Sequence, residues 1–425
     1  MKAVILAAGK GERLRPLTDT RPKHVLPIGG MPLLKWSLKG LAENGIENVL
    51  IVTHFMEDHI KASIGNGTDL NLSISYAHQK EMKGTANAFS MAKSFVGNEE
   101  FIGFYGDGFI TTETFQSVLN SHKKDETTIG VVKVEDPSNF AAVELDKNRV
   151  LRIVEKPLAG KSPSNLANTG IYVFTPEIFD YIKKTSISSR GEFEITDSIS
   201  SLIENGNPVN ATILSHDGWM DIGQPWDLLE ANKRALQFLT RINTEELEKG
   251  VSFIGPIHVE KGARIRTGTY IEGPVYIGPN CDIGPNCYIR PYTSIGEKVR
   301  IGNACEIKNS IIMDETHIAH LSYIGDSIIG ARCNLGAGTI TANIRFDKKN
   351  VYMKIKENRL DSGRRKLGII MGDNSQTGIN VGLLPGRKIG SQVWIAPGLT
   401  VNTDVPSESF LKKEGCFLRK DTEEK

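Results

Sequence analysis

This sequence predicts an α/β domain with a mostly parallel sheet, followed by a left-handed parallel β-helix. Three observations carry that prediction. Residues 1–235 alternate short apolar runs with amphipathic stretches. Residues 251–405 carry an aliphatic residue at intervals of six, and a glycine-rich turn directly follows the first apolar run, Ala3 to Leu6. Strand–helix alternation favours a parallel sheet covered on both faces, with ligands gathered at the carboxyl ends of the strands. Val49–Val52, Ile102–Tyr105, Thr128–Val134 and Gly170–Phe174 read as strands, and Pro32–Glu43, Thr85–Lys93 and Asp197–Glu204 as helices.

In the second half Ile265, Ile271, Ile277, Ile283, Ile289, Ile295, Ile301 and Ile307 recur without a miss. Met371, Leu383, Ile389, Ile395 and Val401 resume the series, with Thr377 as its weak position. An α-helix would scatter such residues around its axis. A β-helix with three short faces per coil directs one inward from each face. Gln224 to Lys249 reads as helical, so 236–250 is taken as a linker helix and 406–425 as a C-terminal tail. The repeat slips phase between Met313 and Ile329 and breaks completely over 344–366, a stretch rich in Lys, Arg and Asn. Such an excursion from a rigid scaffold suits a lid or a contact with a neighbouring subunit.

Composition narrows the function. At 425 residues two or three domains are expected, and a net charge of +1 gives no argument for nucleic acid or an anionic membrane. No apolar run reaches the ~18 residues of a membrane span, and Met1 leads straight into a core strand, which predicts a cytoplasmic protein. Cys281, Cys287, Cys305 and Cys333 each lie four residues after an isoleucine of the repeat, a slot for small side chains; Cys416 stands apart. They are read as packing residues rather than metal ligands or disulfides.

The turn Leu6-Ala-Ala-Gly-Lys-Gly-Glu-Arg-Leu-Arg-Pro16 precedes Arg21-Pro-Lys-His-Val-Leu-Pro27. Glycines at a strand end let backbone N–H groups approach a phosphate, and Arg13 and Lys23 add two positive charges. That suits a triphosphate and the pyrophosphate derived from it. The segment fits neither a Walker A loop nor the dinucleotide-binding fingerprint.

Further motifs follow: Gln79 with Gly84-Thr85-Ala86, Tyr105-Gly-Asp-Gly108, Glu155-Lys-Pro157, Asn168-Thr-Gly170 and Gly218-Trp-Met-Asp-Ile-Gly223. In the repeat lie His320-Leu-Ser-Tyr-Ile-Gly-Asp326, Asn334-Leu-Gly-Ala-Gly338 and Thr341-Ala-Asn343. The first half resembles the sugar-1-phosphate nucleotidylyltransferases, with their Rossmann-like domain, and the second resembles the hexapeptide-repeat acyltransferases. Together they resemble the bifunctional N-acetylglucosamine-1-phosphate uridylyltransferase/glucosamine-1-phosphate acetyltransferase family, most of all its archaeal branch.

The resemblance implies a role for each motif. Leu6, Ala8, Gly9 and Gly11 would line the nucleotide. Arg13 would hold the leaving pyrophosphate and Lys23 the α-phosphate. Asp107 and Asp221 would bind Mg²⁺, which commonly takes one or two carboxylates besides phosphate oxygens and water. Gln79, Gly84 and Thr85 would read the base of UTP, or of dTTP. Glu155 and Lys156, with Asn168 and Thr169, would meet the sugar phosphate. Phe140-Ala-Ala-Val-Glu144 has Ala141 where the family usually has glycine, which bears on the identity of the sugar.

In the coils His320 would be the general base, the role histidine fills near neutral pH. Tyr323 and Asn334 would contact the amino-sugar phosphate, and Asn343 would orient the histidine or the acyl group. Arg290 and Lys308 match phosphate-binding basic residues, and Lys366 a loop lysine. Acetyl-CoA would lie near Ala396, Lys412 and Lys413. The partners implied are small molecules and two further copies of the chain in a homotrimer. Two other plans remain: a nucleotidylyltransferase with a structural or regulatory β-helix, as in ADP-glucose and GDP-mannose pyrophosphorylases, and a non-catalytic binding subunit. The string around His320 argues against the first. The set Arg13, Lys23, Asp107 and Asp221 argues against the second.

Overall fold

The computed structural model describes residues 1–158, 160–239 and 247–418. They form two compact units: Met1–Lys10 with Pro32–Asp221, and Gly11–Met31 with Ile222–Lys425. The segment carrying Arg13 and Lys23 therefore belongs with the coils.

The first unit is built on a nine-stranded sheet. Lys2–Ala7, the apolar run at the start of the chain, is buried from its second residue onward and lies in the middle. It pairs in parallel with Asn48–Thr53 on one side and Phe101–Tyr105 on the other, and Ser73–His78 extends the parallel set to the edge. Beyond Phe101–Tyr105 the sheet is mixed. Leu166–Phe174 runs antiparallel to Phe101–Tyr105 and to Thr127–Lys133, and Val209–Ile213 runs parallel to Thr127–Lys133. The helices Leu33–Glu43, Thr112–Ser121 and Ile195–Glu204 bury one face each, through Leu34, Leu38 and Leu41, Phe115 and Val118, and Ile199 and Leu202. The ring of Phe174 packs against Phe89 at 5.5 Å and Tyr172 at 4.8 Å. Each such side chain contributes about 1.5–3 kcal/mol by leaving water.

In the second unit three parallel sheets make the faces of a prism. Ile265, Ile283, Ile301 and Ile318 stack in register on one face. Ile271, Ile289, Ile307 and Ile324 stack on the next, and Ile277, Ile295, Ile312 and Ile329 on the third. All twelve are buried. Thr377, the weak position, still points inward between Leu335 and Ile395, and its hydroxyl pairs with Thr339 at 2.8 Å.

The phase slip has a definite location. Ile307 to Ile312 and Ile324 to Ile329 are five residues apart instead of six, so both shortened corners follow the same face. Lys308 and Asn309 occupy the first and Asp326 the second.

Cys281, Cys287, Cys305 and Cys333 are buried free thiols. Each donates its S–H to a carbonyl of the following coil: Gly296 at 2.9 Å, Gly302 at 2.8 Å, Ile318 at 3.3 Å and Gly372 at 3.2 Å. Burial pushes the Cys281 and Cys333 thiols up to about 12, so they remain protonated packing groups.

Three connecting segments differ from their sequence reading. Within Gln224–Lys249 the described helix is Asp227–Leu236; residues 240–246 lie outside the described residues, and Leu247 already bridges to Ile265. The tail is in part a hairpin. Ser409–Lys412 adds to the coil strand Trp394–Ile395, and Gly415–Leu418 folds back on it. The 344–366 excursion is also a hairpin, Tyr352–Ile355 against Asn358–Asp361, closed at its base by Ile344 and Lys366. Val351, Met353 and Ile355 are buried, and Lys356 pairs with Glu12 at 2.8 Å. One side of the excursion therefore packs on its own chain, because its apolar residues alternate along a strand.

Candidate functional site

Two groups of predicted residues come together in the first unit. At the sheet's carboxyl end the N–H of Gly106 donates to the Leu6 carbonyl at 2.9 Å, tying two strand ends together. Asp107 follows, and Gly108–Ile110 pairs antiparallel with Trp219–Asp221, placing Asp221 opposite Gly108. The ladder is tight: a Cβ on Gly108 would lie 3.1 Å from the Met220 carbonyl oxygen. The pairing thus sets Asp107 beside Asp221, both half-buried. Among the described residues no group of three His, Cys, Asp or Glu gathers. The register brings the two backbones together, and a pair of carboxylates is a donor set that Mg²⁺ can take along with phosphate oxygens and water.

Gln79 is 3% exposed and donates its amide to Asn87 at 2.8 Å, on the helix Thr85–Ser90. Gly84 starts that helix at φ +107°, where a Cβ would meet the Phe193 backbone at 2.6 Å. The Thr85 hydroxyl accepts from the N–H of Ile195 at 2.9 Å, capping another helix. Gln79, Gly84 and Thr85 are therefore one interlocked turn.

The predicted sugar contacts are more engaged than expected. Asn168 donates to the Tyr172 hydroxyl at 2.7 Å and accepts from the N–H of Gly170, while Thr169 donates to the Gly130 carbonyl at 2.8 Å. These bonds hold the irregularity between Asn168 and Tyr172 in the strand. Glu155 accepts from Arg190 at 3.1 Å and Thr196 at 3.1 Å, and pairs across the sheet with Ala141. Arg190 also holds Glu194, whose carboxyl is raised by burial and next by the charge of Glu155. Lys156 is exposed at φ +40°.

In the second unit Gly11 adopts φ +62° and lies against Lys23, whose Cβ would be 3.1 Å from one added to Gly11. Lys23 is 4% exposed and opens the short turn Lys23–Val25; Arg13 is exposed.

The coils gather a third group. Lys308 Nζ reaches Asp326 at 2.9 Å, Asn309 Nδ2 at 2.7 Å and Asn343 Nδ2 at 2.5 Å. Asn343 Nδ2 also donates to the Tyr323 hydroxyl at 3.1 Å. Arg290, which follows Ile289 of the same face, pairs with Glu306 at 2.8 Å. Lys366 enters beside this corner, where the next residue, Leu367, donates to the Asn343 carbonyl at 2.9 Å. Burial and then the Asp326 charge raise the Tyr323 phenol.

His320 lies elsewhere, before the strand Tyr323–Gly325, whereas Asp326 follows it. Its imidazole is exposed and makes no hydrogen bond among the described residues. Asn343, expected to orient the histidine or the acyl group, is turned toward Tyr323 and Asp326 instead, because the buried carboxylate requires donors. Asn334 stacks with His317 and Gln376 on another face. Ala396 donates its N–H to Leu411 at 2.9 Å, next to Lys412, whose ammonium sits 4.7 Å from the Phe410 ring centroid.

The nucleotidyl transferase family model matches residues 2–237, and the GMPPB C-terminal domain model matches 271–356. The chain is 42% identical to the bifunctional protein GlmU of Methanocaldococcus jannaschii, over 99% of this chain and 100% of that protein. It is 43% identical to a bifunctional sugar-1-phosphate nucleotidylyltransferase/acetyltransferase of Sulfurisphaera tokodaii, over 97% and 100%. The chain belongs to the GlmU-type bifunctional sugar-1-phosphate nucleotidylyltransferase/acetyltransferase family. A solved structure named as a glucose-1-phosphate thymidylyltransferase from Bacillus anthracis shares 31% identity at a TM-score of 0.50, covering 57% of this chain and 96% of its own.

Within this GlmU-type chain, sequence reading missed three residues. Asn87 holds Gln79, Asp326 gathers Lys308 and Asn343, and Asp373 accepts from Thr20. The shortened corner at Asp326 was the available signal for one of them. Asp373 is joined to its partner only by the fold, and an isolated Asp after Gly reads as a turn.

Proposed function

We propose that this enzyme makes UDP-N-acetylglucosamine by two transfers. In the first, the amine of glucosamine-1-phosphate attacks the thioester carbonyl of acetyl-CoA. A C–N bond forms, the C–S bond breaks, and the amine proton passes to the imidazole of His320 while the thiol of CoA departs. Arg290 and Lys308 hold the sugar phosphate, Tyr323 and Asn334 the sugar, and Lys366 closes the corner. Galactosamine-1-phosphate is the alternative amino sugar.

In the second transfer a phosphate oxygen of N-acetylglucosamine-1-phosphate attacks the α-phosphorus of UTP, or of dTTP, and pyrophosphate leaves. Lys23 offsets charge at the α-phosphate and Arg13 at the leaving group. Asp107 and Asp221 would hold Mg²⁺, which supplies charge neutralisation and alignment of the phosphates. Gln79 offers a donor and an acceptor to a pyrimidine edge.

The observation that carries the acetyl-transfer reading is the convergence of Lys308, Tyr323 and Asn343 around the buried Asp326. A coil that serves only as scaffold needs no such network. A homotrimer is the working form in this reading, because a second copy would complete the site around His320, which lies across a short face from that corner. The exposed, unbonded imidazole and the match to the GMPPB C-terminal domain favour a second reading, a nucleotidylyltransferase with a structural β-helix. Thiol release from acetyl-CoA with purified protein, with and without glucosamine-1-phosphate, separates the two. Sugar-dependent release supports acetylation. Its absence, from protein that still forms pyrophosphate from UTP and N-acetylglucosamine-1-phosphate, supports the second reading.

A further inference from the structure

We propose that Asp373, a residue of the β-helix, is a positioning residue for nucleotidyl transfer, acting through Arg21 on Lys23. This rests on the reading of Lys23 as a group on the α-phosphate.

Asp373 follows Ile370–Met371 in the corner Gly372-Asp-Asn374 and is 1% exposed. Oδ2 accepts from the Thr20 hydroxyl at 2.7 Å and from the Arg21 guanidinium. Oδ1 accepts from the N–H of Ala331 at 2.8 Å. Arg332 lies 3.9 Å away. A carboxylate removed from water needs paired charge and hydrogen bonds, so Arg21 and Thr20 are fixed as strongly as Asp373 is. The neighbours of Arg21 repeat the pattern. Asp19 accepts from the Ser407 hydroxyl at 3.1 Å, and Arg21 itself touches the Met313 sulfur at 3.6 Å. Asp19, Thr20 and Arg21 thus dock on the coils in succession.

Arg21 is joined to Lys23 by a single residue, Pro22, at φ −72°. Proline removes one backbone freedom between them. Lys23 then enters a tight turn, in which its carbonyl accepts from Leu26 at 3.1 Å and Pro22's from Val25 at 3.2 Å. The lysine's path is therefore determined from the Arg21 end by one soft torsion pair. Displacing a charged group that acts in the transition state by about 1 Å costs about 100-fold or less in rate without abolishing ground-state binding.

The corner holding Asp373 follows the face of Ile329 and Met371, whereas the corner of Lys308, Asp326 and Asn343 precedes it. Of the side chains proposed to hold the amino sugar only Asn334 lies on the face after the Asp373 corner, so acetyl transfer should feel the change far less than nucleotidyl transfer does.

The test uses full-length protein carrying Asp373→Asn, Arg21→Lys, Thr20→Val or Lys23→Ala, with pyrophosphate release and thiol release followed side by side. Asp373→Asn should lower kcat for pyrophosphate release about tenfold, with KM for the sugar phosphate and the rate of thiol release each within about twofold. Arg21→Lys, which keeps charge on the buried carboxylate but loses the planar fork, should lower kcat in the same direction, and Thr20→Val by a smaller factor. The double variant Asp373→Asn/Arg21→Lys should be no slower than the worse single one. Wild-type kcat in Asp373→Asn and Arg21→Lys, when Lys23→Ala abolishes pyrophosphate release, overturns the proposal alone. A parallel fall in both activities also overturns it, because the change then acts through the coil. Full activity in Lys23→Ala instead overturns the reading of the lysine itself. Should Asp373→Asn not fold, Arg21→Lys and Thr20→Val decide the matter with the coil intact.

Discussion

The two units treat their predicted site side chains in opposite ways. In the sheet unit Thr85, Asn168 and Thr169 satisfy the fold's own backbone: a helix cap, a strand irregularity and a cross-strand carbonyl. In the coils Lys308, Tyr323 and Asn343 converge on one another through Asp326. A twisted sheet creates irregular turns whose N–H groups need partners, and small polar side chains supply them. In the β-helix that service falls to buried corner residues such as Ser310, Thr316 and Ser375, each of which bonds backbone groups of neighbouring coils, and Lys308, Tyr323 and Asn343 are left to one another.

The comparison can be broken most sharply at the charges. Lys23→Ala should cut pyrophosphate release at least ~100-fold and leave thiol release within twofold. His320→Ala should do the reverse. Loss of both activities in either folded variant would mean that the two reactions share one site.

A smaller effect is expected at Asp326. With Asp326→Asn the KM for glucosamine-1-phosphate should rise roughly tenfold, because Lys308 loses its counter-charge and one acceptor oxygen must replace the two that hold Lys308, Asn309 and Asn343. Pyrophosphate release should not change, and an unchanged KM would remove Asp326 from the site.

In the sheet unit the corresponding substitution should read out as stability. Thr85→Val, which deletes the acceptor for Ile195, should cost about 1 kcal/mol in urea unfolding and shift the KM for UTP less than twofold. A large KM effect without loss of stability would return Thr85 to direct base recognition.

The smallest effect concerns acid. Asp282 is held below the usual carboxylate range by hydrogen bonds from Arg266, at 2.6 and 2.7 Å. A carboxyl lowered on folding stabilises the protein above its unfolded value, ~4. That contribution fades as pH falls through the folded value. Arg266→Gln should therefore be less stable than the parent at pH 7 and indistinguishable from it in strong acid. A gap that persists in acid would make the arginine's role one of packing.

Much of this was legible beforehand, for physical reasons. A long run at a period of six excludes an α-helix and suits a three-faced β-helix, so the coils, their inward isoleucines and the small-residue slots of the cysteines could be read directly. The string from His320 to Asn343 stood out because it resembles the acetyltransferase half of the bifunctional family. The role of Asp326 was hidden because its partner Lys308 lies a full coil earlier, and the coil had just shortened. The docking of Thr20 and Arg21 on Asp373 depends on contacts between residues hundreds of positions apart, which no local pattern encodes. The hairpin within 344–366 was obscured by its charged residues, although Val351, Met353 and Ile355 alternate as a half-buried strand requires.

The hairpin Ser409–Lys412 and Gly415–Leu418 has a consequence for solubility. A stack of parallel strands ends in a row of unpaired N–H and C=O groups, an open template for another chain's strand. Here the last coil's Trp394–Ile395 edge is paired by Ser409–Lys412, and the returning strand is antiparallel and carries an exposed Phe417 over which Lys412 is drawn. Direction changes on that face, so a further strand cannot extend that sheet in parallel register. The turn at Glu414 is in effect a terminator of that one sheet, and a chain cut before Ser409 would bare the Trp394–Ile395 edge.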